Sequence, residues 1–72
     1  MSRFAEADVH AGQLWSEQGT PYVWRVVFVV RDHLIGDIYE TNVTLQDDFD
    51  PRNIMRIPAS ALVQDYTLEA RR

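Results

Sequence analysis

The groups able to do chemistry in this sequence are few and scattered. His10 and His33 are its only imidazoles, the one side chain whose ordinary pKa lies near neutral pH. Ser2, Ser16, Ser60 and several threonines supply hydroxyls, but none combines with a histidine and a carboxylate in a nucleophile motif. Ser60 lies in a run of small residues whose size explains it structurally. The absence of cysteine removes thiol nucleophiles, disulfides and zinc-thiolate sites together. The densest cluster is Asp47-Asp48-Phe49-Asp50, and carboxylates are the hard oxygen ligands that Ca²⁺ and Mg²⁺ take. It lacks the Asp-x-Asp-x-Asp-Gly run and the distant bidentate Glu of an EF-hand, so it reads as a solvated acidic turn. Asn42-Val43-Thr44 matches a glycosylation acceptor, but strand alternation accounts for the same residues. No catalytic residue, metal or cofactor is expected, and the chain reads as a binding module, not an enzyme.

Composition narrows the kind of partner. Seven arginines and no lysine stand against 11 Asp and Glu in 72 residues, a net charge of −4. The long-range field steers the chain toward cationic partners and repels phosphate. A nucleic-acid interface would need a cationic stripe with exposed aromatics; Arg25, Arg31 and Arg56 are the candidates for that competing reading. The 46% apolar content suits one small globular domain, which buries only ~60% of the surface its unfolded chain exposes. The longest apolar run, residues 26–30, is far short of the ~20 residues a membrane-spanning helix needs. No charged-then-apolar leader opens the chain, and a cytoplasmic protein is expected.

The elements that must position these groups are mostly strands. Residues 1–8 form a short polar arm in which Ser2 can cap a helical turn over residues 3–7. The domain proper, residues 9–72, opens with a strand ending at Trp15, followed by the loop formers Ser16-Glu17-Gln18-Gly19-Thr20-Pro21. Residues 22–31 are almost wholly β-branched or aromatic. Their even positions, Tyr22, Trp24, Val26, Phe28 and Val30, predict a core face, and apolar residues on the odd face imply cover on both sides or a strongly bent sheet. A turn over residues 32–37 and an alternating strand over 38–46 follow, with Tyr39 expected inside. Ile54-Met55-Arg56-Ile57 is a short strand stopped by Pro58; residues 58–62 suit one tight 3₁₀ turn, and Tyr66-Thr67-Leu68 resumes strand character.

Five strands in this order resemble an SH3-like β-barrel. The resemblance is carried by Ala11-Gly12-Gln13-Leu14-Trp15, by Tyr22-Val23-Trp24-Arg25-Val26, and by Ile57-Pro58-Ala59-Ser60-Ala61-Leu62 leading to Tyr66-Thr67-Leu68. The Gly-x-x-Trp, Tyr-x-x-x-Val and Leu…Tyr-x-Leu spacings are also similar to those of small phage and high-GC bacterial proteins. The resemblance implies an all-β, five-stranded closed barrel. It also implies a binding groove framed by the loop after the first strand and the turn before the last, where Trp15, Tyr22 and Glu17 stand. The Ala-Leu-Tyr-Asp-Tyr opening of peptide-binding SH3 domains is missing, which argues against recognition of Pro-rich ligands. The expected contact surface is therefore acidic and aromatic, made of Trp15, Glu17, Tyr22, Asp47, Asp48, Phe49 and Asp50, and suited to a protein with a basic surface. The phage likeness implies an accessory protein that modulates a host factor. A homo-oligomer built by edge-strand pairing is the further alternative.

Overall fold

A computed structural model describes residues 8–69, so the expected helical turn over residues 3–7 lies outside the described residues. Five strands, β1 (Leu14–Glu17), β2 (Val23–Ile35), β3 (Ile38–Asp47), β4 (Ile54–Pro58) and β5 (Tyr66–Leu68), and one helix, α1 (Ala59–Asp65), follow in chain order. All strands join one antiparallel sheet in the order β4-β3-β2-β1-β5. The all-β expectation holds, but the closed barrel does not form: β4 and β5 are the two edges of the sheet. Helix α1 packs against β3, β4 and β5, covering the opening that ladder hydrogen bonds leave.

Pro58 makes the switch from β4 to α1. It has no backbone N–H to extend a ladder, and its φ of −62° suits entry to a helix. The result is a seven-residue α-helix, not a single 3₁₀ turn, because Ala59 and Leu62 both bury on its inner side. Those two join Val9, Trp15, Trp24, Val26, Val43 and Leu45 in the core, with Met55, Ile57, Val63, Tyr66 and Leu68 packed around them. Burying each large side chain contributes roughly 1.5–3 kcal/mol, so this one-sided cluster carries most of the stability of a domain this small.

β2 departs from simple alternation. Val26 faces Leu45 and Phe28 faces Thr44, leaving Val27 as an extra residue in a β-bulge. A one-residue offset exchanges the faces of every side chain beyond it. Trp24 and Val26 therefore lie inside, whereas Phe28 and Val30 share the opposite face with Thr44 and Asn42, and Phe28 is 61% exposed. Phe28 and Val30, expected in the core, lie outside it because the bulge breaks the period that the even positions follow. Tyr39, also expected inside, is exposed because the core does not extend that far along β3.

β2 also runs to Ile35, through the segment expected as a turn. The reversal is confined to Gly36 and Asp37, with Gly36 at φ +54° and no positive φ at Asp37, the φ pattern of a type II′ hairpin. β1 accompanies β2 as far as Arg25, and the preceding segment adds bonds at Val26. β4 accompanies β3 only from Asn42. Among the described residues, positions 27–41 thus project as an arm that has lost β1 as a neighbour: β4 still lies beyond β3 at its root, behind residues 28–30, and the arm is two-stranded from Arg31 to Thr41.

Candidate functional site

Two surfaces compete for a contact role, one at each end of the long hairpin. The first is the acidic loop after β3. Asp47 is a structural residue: it is 5% exposed, its Oδ1 accepts from the backbone N–H of Phe49 (2.8 Å) and Asp50 (3.3 Å), and its Oδ2 accepts from Asn53 Nδ2 (3.4 Å). The Phe49 bond, followed by those of Asp50 and Asn53, holds its carboxyl below the usual range against the opposing effect of burial. Asp48 pairs with Arg25 at 2.7 Å and Asp50 with Arg52 at 3.2 Å. The three carboxylates engage three different partners and do not converge on a common point.

The same bonds present Phe49, which is 76% exposed. Asp48 N–H donates to the Val23 carbonyl at 2.9 Å, fastening the loop beside the start of β2, where Tyr22 is also exposed. Trp15 was expected to join this surface but is 1% exposed. It packs in the core, and its Nε1 donates to Gln13 Oε1 at 3.2 Å. Glu17 is likewise occupied, accepting from Trp24 Nε1 at 3.1 Å. It stands opposite Tyr66, whose phenol pKa is raised first by burial and then by the carboxylates of Glu17 and Asp65. Of the seven expected contact residues, Tyr22 and Phe49 are thus the aromatics left on the surface.

The second surface is the arm. Phe28, Val29, Val30, Leu34, Ile35, Ile38 and Tyr39 are all exposed, Ile35 at 70%, and the other exposed large apolar residues are Tyr22, Phe49 and Ile54. Cross-strand partners share a face, so the bulge at Val27 places Phe28 and Val30 on one side and Val29 on the other. Both faces of the arm are therefore apolar; among the described residues its β2 edge is open from Val27 and its β3 edge is open from Ile38 to Thr41. No feature of alternation or composition signals this. The only hint is that residues 26–30 are apolar without interruption, which fits a rotated strand as well as a doubly buried one.

Polar side chains brace the arm at its root. On the Phe28 face, Asp32 accepts from Asn42 Nδ2 at 2.6 Å and from Arg56, linking β2, β3 and β4. The Asn42 bond, then Arg56, keeps the Asp32 carboxyl below its ordinary pKa despite some desolvation. On the Val29 face, the Arg31 guanidinium lies 4.7 Å from the centre of the Tyr39 ring, a cation–π distance. His33 lies 5.0 Å from the same ring and bonds the Gly36 carbonyl at 2.6 Å. Val9, His10, Ala11, Val29, Arg31, Tyr39 and Thr41 line an open cleft of about 680 Å³ on this side. Gln13 fixes the cleft's outer wall: its Oε1 accepts from His10 N–H at 2.9 Å, and its Nε2 donates to the Asp8 carbonyl at 3.0 Å.

The arginines suggested for nucleic acid do not make one stripe. Arg25 and Arg56 share a face but each pairs with a carboxylate, and Arg31 projects on the opposite face. His10, His33 and Ser60 belong to the cleft, the hairpin turn and the helix respectively, so no nucleophile–base pair is assembled among them. No helix among the described residues is long and apolar enough to cross a membrane. No protein-family model, curated protein or solved structure matches the chain.

Proposed function

We propose that this chain is a non-enzymatic protein-contact module whose principal contact surface is the 27–41 arm. The observation that carries this reading is the concentration of exposed apolar side chains in residues 28–39. At these exposures the seven side chains present on the order of 600 Å² of surface divided between the arm's two faces, and concentrated exposed apolar surface marks interaction sites. An isolated two-stranded hairpin is marginal in water, so a partner that covers the arm also stabilises it. The Tyr22–Phe49 end offers a smaller, separate contact with acidic residues beside it, which suits a basic partner. The strand order, with α1 between β4 and β5, supports reading the architecture as an SH3-like barrel left open at those edges.

A photo-crosslinking residue at Ile35, compared with one at exposed Gln64 on α1, tests this in cells that make the protein. Protein adducts from position 35 and none from position 64 are expected. Equal labelling from both positions, or adducts to nucleic acid alone, would contradict the reading.

A further inference from the structure

The arm carries more than apolar surface, because its charges are matched in a particular way. Three of the four described arginines, Arg25, Arg52 and Arg56, sit in ion pairs, and Arg31 is the one with no carboxylate partner among the described residues. Asp37 at the tip and Glu40 on β3 likewise have no cationic partner there. Cation and carboxylates occur on the same protruding hairpin, so the arm is complementary to itself. Among the described residues the edge of β2 beyond Val26 is open, which adds a row of backbone donors and acceptors, and a strand laid antiparallel along it continues the sheet.

Resting on the reading of the arm as the contact surface, we propose that its occupant is a second copy of this chain. The two arms pair antiparallel through β2 about a two-fold axis. Antiparallel pairing of a strand with its own copy is isologous, so this contact closes at a dimer. It lays each tip beside the middle of the other arm. In the register that sets Asp37 of one copy beside Arg31 of the other, Leu34 lies beside Leu34 of the second copy and Ile35 beside its His33. The overlap covers only the outer part of each arm, less than the ~800 Å² per partner of a standard interface, which suits a weak, reversible dimer and not an obligate one.

Sedimentation equilibrium from micromolar to millimolar protein tests the proposal. The mass is expected to rise from 8.4 kDa to twice that value and stop. Ile35→Lys, at an exposed tip position, raises the dissociation constant by about tenfold or more while leaving the circular dichroism and melting temperature of dilute protein unchanged. Arg31→Glu weakens the dimer, and combining it with Asp37→Arg restores it. A monomer at every concentration overturns the proposal, as does a dimer indifferent to both single substitutions or a mass that grows without limit. If the chain is monomeric at every concentration while the crosslinker at position 35 still captures another protein, the second-copy proposal falls and the arm reading stands. If the chain is monomeric and position 35 labels no protein, both fall.

Discussion

The two ends of the β2–β3 hairpin are built from similar residue types and reach opposite conditions. At the Trp24–Asp47 end, β1 and β4 flank the hairpin, α1 closes over it, and the acidic loop satisfies its backbone with its own side chains. Toward the turn β1 is lost after Val26 and β4 before Asn42, and the two strands run on alone over residues 31–41, with apolar side chains on both faces of the arm. The change begins at the extra residue Val27, the first of two register shifts in the β2–β3 ladder. It ends the inward alternation of β2 where the core ends, and it turns Phe28 and Val30 outward. A surface of this kind needs no unusual residue. It follows from extending a strong β-forming strand past the elements able to cover it.

The contrast makes predictions of graded size. Leu62→Ala, in the fully buried core, is expected to cost about 2–5 kcal/mol, enough to unfold a domain this small, as loss of the cooperative thermal transition would reveal. Along β2, Val26→Ala should cost about 1–3 kcal/mol, whereas Phe28→Ser, two positions on but across the bulge, should stay within about 0.5 kcal/mol. Urea melts of the pair decide whether the bulge is real: equal losses would restore the unbroken alternation. Asp47→Asn should lower the melting temperature at neutral pH and increase amide exchange at Phe49 and Asp50.

The acid limb of stability follows from Asp47 and Asp32, whose carboxyls are both held low in the folded state. The unfolded chain binds their protons first. Their stabilisation is therefore fully present above the ordinary carboxylate value of about 3.9 and is lost as pH falls through the lower folded values. Melting temperature should fall with pH over that window, with a shallower fall in Asp47→Asn. The smallest effect is expected at the exposed Arg52–Asp50 pair, where Arg52→Ala should change stability by less than about 0.5 kcal/mol.

Much of this architecture is legible from residue order. Pro58 marks the change of element, Tyr66-Thr67-Leu68 returns to strand, and the alternation of residues 38–46 gives β3 and its buried Val43 and Leu45. The bulge is not legible, because an uninterrupted run such as residues 26–30 offers no period to break. Burial of Trp15 was missed for a related reason. A position beside a loop formally allows exposure, but the Gln13 side chain supplies a buried acceptor for the indole N–H, and that pairing depends on a fold-back invisible in composition. Asp47 reads as one member of an acidic run. Only the backbone path of residues 47–53 shows that its carboxylate organises the loop that presents Phe49.

Amide hydrogen exchange of dilute and concentrated protein tests most directly whether the arm is a surface awaiting cover. Residues 43–47, paired on both sides, should be protected equally at both concentrations, while protection of residues 27–35 should be weak in dilute solution and rise with concentration. Protection of the arm that matches residues 43–47 in dilute solution and does not change on concentration would contradict the account.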